Sequence, residues 1–256
     1  MKQAAFVTGS SRGIGRGIAL ALARSGFDVA LHGRTKSDAL EKTRREVEAL
    51  GVKATSVAGD ISDISGHAAL LDEAEAALGP LTTLVNNAGV GPLKRADMLE
   101  SIPESFDHCI ATNVKAVYFL SQDFANRLLA RERSPQLTYS ITVISSINAV
   151  MASFDKADYC VSKAAVAMVA KVLAQRLAPQ GIQVFDVQPG IIETDLSQPV
   201  LAKYQKQIEE KGITLIPRFG HADEVGQVVA TAARGDLPYC VGQVLRPDGG
   251  LTLQRL

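Results

Sequence analysis

Short apolar runs alternate with longer segments whose apolar positions recur every three or four residues, from one end of the chain to the other. Ala4 to Val7 predicts a short buried strand that ends at Thr8-Gly9, and Ile14 to Ala23 a helix that stops at Gly26. Phe27 to Leu31 predicts the second strand. Ser37 to Leu50 predicts a charged amphipathic helix, with Gly51 in the place a helix end prefers. Strands follow at Lys53 to Ala58 and Leu81 to Val85, with a helix at Ser65 to Leu78 between them. Pro103 to Arg131 reads as one long helix with proline in its first turn. Ser140 to Ile144 (strand), Lys156 to Ala178 (helix), Ile182 to Val187 (strand), Ala222 to Arg234 (helix) and Gln243 to Arg246 (strand) complete the alternation.

Strand, helix, strand, helix repeated in this way implies right-handed crossovers and a mostly parallel sheet. The strands are rich in Val, Ile, Leu and Ala and barely alternate, as expected when both faces are buried. The expected fold is a single-domain α/β protein over residues 1–256. It is a Rossmann-type, doubly wound parallel sheet of about seven strands with helices on both faces. A TIM barrel is the topological competitor, and the glycine turn at residues 9 to 15 argues against it. The one long irregular stretch, Pro189 to Gly220, contains a short helix from Val200 to Lys211 and is expected to form a substrate lid over about 190–220. Leu196, Pro199, Val200, Leu201 and Tyr204 offer it apolar surface; Met151, Phe154 and Asp155 are expected to form another pocket wall.

Composition narrows the classes. Hydrophobic residues make up 46% and charged residues 21%, which excludes a disordered chain. The 27 basic and 27 acidic residues balance, whereas a nucleic-acid binder carries basic excess. No run approaches the ~20 apolar residues of a membrane span, and the apolar run at Ala4 to Val7 is too short for a secretory signal. Cys109, Cys160 and Cys240 form no CxxC pair, so reduced thiols in a cytoplasmic protein are expected. The four histidines show no metal-binding spacing, so no metal site is expected.

The first strand runs into Thr8-Gly9-Ser10-Ser11-Arg12-Gly13-Ile14-Gly15. The spacing GxxxGxG differs from the strict GxGxxG fingerprint but performs the same task. Gly9 permits the tight turn, Gly13 lets backbone approach a pyrophosphate, and Gly15 lets the helix pack closely. The helix N-terminus then offers free N–H groups to phosphate. At the end of the second strand, His32-Gly33-Arg34-Thr35 contains no acid for a ribose 2′-hydroxyl. Arg34 and Arg12 can instead pair with a 2′-phosphate, which favours NADP(H) over NAD(H).

Tyr159-Cys160-Val161-Ser162-Lys163 opens a helical segment, and i to i+4 spacing puts Tyr159 and Lys163 on one face. An ammonium beside a phenol stabilises the phenolate, so the pair can pass a proton to a carbonyl oxygen as hydride reaches the carbon. Ser146 lies thirteen residues before Tyr159, just past a buried strand. Asn86-Asn87-Ala88-Gly89 ends the fourth strand, Asn113 lies in the long helix, and Pro189-Gly190 follows the sixth strand with Thr194 beyond. With these motifs the chain resembles the short-chain dehydrogenase/reductase family over essentially its whole length, from Thr8 to Asp248-Gly249-Gly250.

The resemblance implies roles. Tyr159 would be the general acid/base, and Lys163 would lower its pKa and bind the nicotinamide ribose. Ser146 would hydrogen-bond the substrate oxygen, with Ser145 as a packing residue. Asn113 would hold a water linking Lys163 to solvent. Gly9, Ser11, Gly13, Ile14 and Gly15 would cradle the pyrophosphate, with Arg12 beside them for the 2′-phosphate. Arg34, Asp60 and Ile61 would serve the adenosine half, with Asp60 at the adenine. Asn87, Ala88, Gly89, Pro189 and Gly190 would line the groove, and Ile192 and Thr194 would meet the carboxamide. The resemblance is nearest to 3-oxoacyl-[acyl-carrier-protein] reductases of fatty acid biosynthesis, through Ile191-Ile192-Glu193-Thr194-Asp195 and Arg218-Phe219-Gly220. It implies a homotetramer and an acyl-thioester substrate, with acyl carrier protein as a partner. Gln180 stands where those reductases often carry a basic docking residue, although Arg127, Arg131 and Arg133 could supply a patch. A sugar, polyol or other small ketone is the alternative substrate, and a non-catalytic dinucleotide sensor the remote alternative function.

Overall fold

In the computed structural model, described for residues 2–194, 198 and 201–254, seven strands form one parallel sheet. They are β1 (Ala4–Val7), β2 (Asp28–Gly33), β3 (Ala54–Ala58), β4 (Thr83–Asn86), β5 (Tyr139–Ile144), β6 (Ile182–Val187) and β7 (Val244–Leu245). The order β3-β2-β1-β4-β5-β6-β7 places a switch point between β1 and β4, where an open α/β sheet forms its crevice.

Side chains along β1 divide between two cores. Phe6 joins one with Leu84, Ile141, Val143 and Val184; Val7 joins the other with Leu31, Val85 and Val187. Both faces are covered, which is why the strands read as unbroken apolar runs. Helices α1 (Gly13–Arg24), α2 (Asp38–Glu48) and α8 (Ala222–Ala233) cover the Val7 side. Helices α3 (His67–Leu78), α5 (Ala116–Ala130) and α6 (Ala157–Leu177) cover the Phe6 side. Ser37 caps α2 through its hydroxyl, which accepts from the Leu40 amide at 3.3 Å.

The expected single helix from Pro103 to Arg131 is continuous but not uniform. Helix α4 (Pro103–Ile110) passes into a π-helical segment, Ala111–Lys115, before α5 begins. A π turn accommodates an extra residue, a device common at functional sites, and here it carries Asn113. Helix α7 (Leu201–Lys211) matches the short helix expected within the lid region. The lid residues Leu196, Pro199 and Val200, and Asp195, lie outside the described residues.

Candidate active site

The C-terminal ends of β1, β2, β3, β4, β5 and β6 bring the candidate residues to one edge of the sheet. At β1, Gly9 turns with φ +64°, and a Cβ there would lie 2.9 Å from the Ala88 backbone. A Cβ on Gly15 would meet the Gly9 carbonyl oxygen at 2.2 Å, so only glycine lets α1 start against this turn. The Arg12 side chain does not cap α1, which leaves first-turn N–H groups for an anion. This cradle fits a pyrophosphate. Thr194 faces it, with its methyl 3.5 Å from the Cβ position of Gly13. Asn87 clamps the turn from β4, donating to the Thr8 and Gly9 carbonyls at 2.8 and 3.0 Å. In return, the Thr8 hydroxyl accepts from the Asn87 and Ala88 amides at 2.9 Å. Thr43 of α2 donates to the Ser11 carbonyl at 3.0 Å.

His32 was not assigned a role by sequence reasoning, yet it sits under this turn. Its Nδ1 accepts from the Gly9 amide at 3.3 Å and its Nε2 faces the Gly59 carbonyl at 3.0 Å. Those partners match a neutral ring, and burial pushes its pKa down to about 4. An imidazole at the end of an otherwise apolar strand was the available signal.

Arg34 and Asp60 meet each other, with Nε and Oδ2 3.0 Å apart. Asp60 also accepts from the Ser62 hydroxyl and amide, and these bonds hold its carboxyl below the usual range. A cavity lined by Ala58, Gly59, Asp60, Asp63 and Gly66 opens here. Ile61 and Ile192 follow β3 and β6 in the chain. Both side chains are buried in the hydrophobic cores, because apolar side chains at these strand ends gain more by packing than by facing an open crevice. Pro189 accepts from the Ile147 amide at 3.2 Å, and a Cβ on Gly190 would lie 2.7 Å from the Asp248 backbone. Ile14 packs partly buried against the Val7-side core.

Tyr159 and Lys163 share one face of α6, the Lys163 ammonium lying 5.6 Å from the Tyr159 ring centre. Lys163 donates to the Ile144 carbonyl at 3.0 Å, which ties α6 to the end of β5. The Ser146 hydroxyl lies close enough to the Tyr159 phenol to pull its pKa down, and it accepts from the Asn148 amide at 3.1 Å. Gly89 lies directly over the lysine, its Cβ position 3.5 Å from Nζ.

One expectation changes here. Burial pushes the Tyr159 phenol up to about 12, with Ser146 pulling the other way. The expected lowering by Lys163 therefore does not dominate, because burial also pushes that ammonium down to about 8. The Asn113 side chain bonds the Val90 amide and carbonyl, at 2.8 and 2.9 Å, and Ser162 at 2.9 Å. Both its N–H groups are used, and its Oδ1 keeps a second lone pair to accept from a water.

Ser145 is more than a packing residue. Its hydroxyl donates to Asp186, a carboxylate 1% exposed within β6. An acid in the otherwise apolar end of Ile182–Val187 was the unused signal. At the mouth, Asp155 meets Arg95 at 3.3 Å and Lys203 at 4.0 Å. Arg127 and Arg131 are held by Asp72 and Glu75 at 2.6–3.1 Å, and Arg133 stacks on Tyr139, so the suggested carrier-docking patch is engaged within the chain. Among the described residues no three His, Cys, Asp or Glu side chains gather to hold a metal ion, and no helix is long and apolar enough to cross a membrane.

A doubly wound parallel sheet with a glycine cradle at its switch point and a Ser, Tyr and Lys beyond it defines a dinucleotide-binding oxidoreductase. The chain belongs to the short-chain dehydrogenase family, whose sequence profile matches residues 3–205. It is 33% identical over 254 residues to 3-oxoacyl-[acyl-carrier-protein] reductase of Staphylococcus aureus, covering 98% of each chain. It is 34% identical over 254 residues to gluconate 5-dehydrogenase of Gluconobacter oxydans, covering 97% of this chain and 94% of that one. A crystal structure of 3-oxoacyl-[acyl-carrier protein] reductase from Brucella melitensis in complex with NAD superposes with TM-score 0.95 at 39% identity. That match covers 100% of this chain and 99% of the other.

Proposed function

We propose that the protein is an NADP(H)-dependent reductase acting on a carbonyl/secondary alcohol pair, with a 3-oxoacyl thioester as its substrate. The observation that carries the reading is the Ser146–Tyr159–Lys163 arrangement at the switch-point edge, beside a cradle that fits a pyrophosphate. A bound nicotinamide dinucleotide supplies hydride in reduction and accepts it in oxidation.

The chain's own residues do the rest. Gly9, Ser11, Gly13, Ile14 and Gly15 hold the pyrophosphate, with Arg12 beside them for the 2′-phosphate; Asn87, Ala88, Gly89, Pro189, Gly190 and Thr194 line the groove. Ile61 and Ile192 serve only by placing backbone there. Ser146 orients the carbonyl oxygen toward the Tyr159 phenol. With its pKa raised to about 12, that phenol carries its proton at neutral pH, the state needed to protonate the oxygen in reduction. Lys163 binds the ribose and stabilises the phenolate left behind. Asn113 braces the loop at Val90 and holds a water that links Lys163 to solvent.

The 2′-phosphate preference is supported by the absence of an acid at the end of β2 and by Arg34, whose side chain is 81% exposed and can reach a phosphate. The acyl-thioester reading is supported by the Staphylococcus and Brucella relatives. A second reading, a sugar acid or polyol, is favoured by the charged mouth of Arg95, Asp155 and Lys203 and by the Gluconobacter relative. Turnover of acetoacetyl thioesters and 5-ketogluconate, each with NADPH and NADH, separates the two. A homotetramer is supported by the exposed apolar stripe Val161, Met168 and Val172 on α6 and by Tyr118 on α5. The free cysteines Cys109, Cys160 and Cys240 accord with a reducing compartment such as the cytoplasm.

A further inference from the structure

A buried carboxylate lies behind the proton-transfer pair. In β6, Val184 points into the core covered by α6, and Asp186, two residues on, points to the same face because side chains alternate along a strand. Lys163 occupies α6 one turn before Val166, a member of that same core. Asp186 pairs in register with Val143 of β5, next to Ile144, whose carbonyl accepts from Lys163. Sheet and helix therefore bring the carboxylate and the ammonium into one buried layer.

Asp186 is 1% exposed and Lys163 5%. The donors on the carboxylate are neutral: Ser145 gives one hydrogen bond and Gln188 another, at 2.7 Å. Arg246 reaches it only through Gln188, donating to Oε1 at 2.9 Å. Lys163 and Arg246 are the cations that act on it. Lys163 lies against the Tyr159 ring of its own helix and the Ile144 carbonyl, and Asp186 from β6 and Cys109 from α4 are the acidic groups that act on its charge. Cys109 keeps its proton, since burial pushes that thiol up to about 11. Burial raises the Asp186 carboxyl, while Ser145, Gln188, Lys163 and Arg246 pull it back down; in its ionised form it is the negative charge that acts on the lysine. Isolated buried charges are costly, and each of these two offsets the other.

We propose that Asp186 is a positioning residue for the reaction: its buried carboxylate, held by Ser145 and Gln188, keeps the Lys163 ammonium charged beside Tyr159. The inference rests on Tyr159 and Lys163 being the proton-transfer pair. It adds that the pair is a triad in electrostatic terms, with its third member on the sheet. Removing the charge leaves desolvation of Lys163 unopposed, so its proton comes off at lower pH.

The experiment is Asp186→Asn, which keeps shape and removes charge, beside Asp186→Glu and Ser145→Ala. The first readout uses the cofactor-free protein: ¹H–¹⁵N spectra of lysine Nζ, with Lys163 assigned through Lys163→Arg, followed against pH. The wild-type midpoint is expected near 8. Asp186→Asn should lower it by about one pH unit or more, Asp186→Glu should restore most of the shift, and Ser145→Ala should move it the same way by less. The second readout is reduction of acetoacetyl-N-acetylcysteamine by NADPH. Its alkaline limb should move with the Lys163 midpoint. An unmoved midpoint in folded Asp186→Asn protein overturns the proposal, since Asp186 is then neutral or purely structural. If Asp186→Asn does not fold, Ser145→Ala decides on the same criterion. Undiminished turnover in Tyr159→Phe would defeat the functional reading instead, and leaves the lysine titration to judge Asp186 separately.

Discussion

The guanidinium of Arg34 rests on Asp60, with Nε and Oδ2 3.0 Å apart, across the ends of β2 and β3. The arginine is exposed and the acid is held by Ser62, so the pair stores a cation at the rim of the adenosine side of the crevice. Exposed pairs contribute little to stability, and this one can open to receive a 2′-phosphate. Arg34→Ala is expected to weaken NADPH binding by about tenfold or more and NADH binding much less, as for loss of a charge-assisted hydrogen bond. Fluorescence titration with both cofactors measures this, and equal weakening of the two refutes the 2′-phosphate role.

Tyr159→Phe removes the hydroxyl and keeps the ring against Lys163. Turnover should fall at least about 100-fold with cofactor affinity within a few-fold of normal, because the lost group acts only in proton transfer. Steady-state rates on a responsive substrate, paired with NADPH titration, provide the check.

Gly15→Ala places a methyl 2.2 Å from the Gly9 carbonyl oxygen. The turn must shift, and overpacking of this kind costs about 1–3 kcal/mol. Thermal unfolding should show a Tm lower by several degrees, and dinucleotide binding should be lost with it. Normal binding in the variant would show that the turn tolerates a side chain and is not the cradle.

His32 gives stability a defined acid limb. Its folded pKa of about 4 lies below the unfolded value of 6.5, so between these the unfolded chain binds the extra proton. Its contribution is complete above pH 6.5 and is lost as pH falls to 4, with about 3 kcal/mol as the upper order of magnitude. Denaturant unfolding from pH 7 to 4 should show a shallower decline in His32→Gln than in wild type. Parallel curves would remove His32 from the account.

Val161, Met168 and Val172 leave an apolar stripe exposed on α6. Large exposed apolar patches mark interfaces. Light scattering should give a tetramer for the wild type and a smaller species for Met168→Glu. A monomeric wild type contradicts the assembly.

Much of the architecture was legible along the chain. Every strand was anticipated within a few residues, because strands buried on both faces leave unbroken Val, Ile, Leu and Ala runs between glycine turns. Tyr159 and Lys163 were legible because four residues of helix put them on one face. The π turn at Ala111–Lys115 was not, since an extra residue in a helical turn leaves the apolar period nearly intact. His32 and Asp186 were missed for another reason: each is a polar group whose partners lie far along the chain, at Gly9 and Gly59, and at Ser145 and Lys163.

The sequence by itself determined the alternating α/β order, the glycine turn at the end of β1, the YxxxK pair and the family resemblance. These depend on local spacing, and backbone geometry converts spacing into placement. Only the tertiary structure decided that Arg34 rests on Asp60, that Ile61 and Ile192 turn into the core, and that burial raises Tyr159 while lowering Lys163. Desolvation and charge pairing depend on what surrounds a group in three dimensions, and that surrounding is assembled from strands distant in the chain.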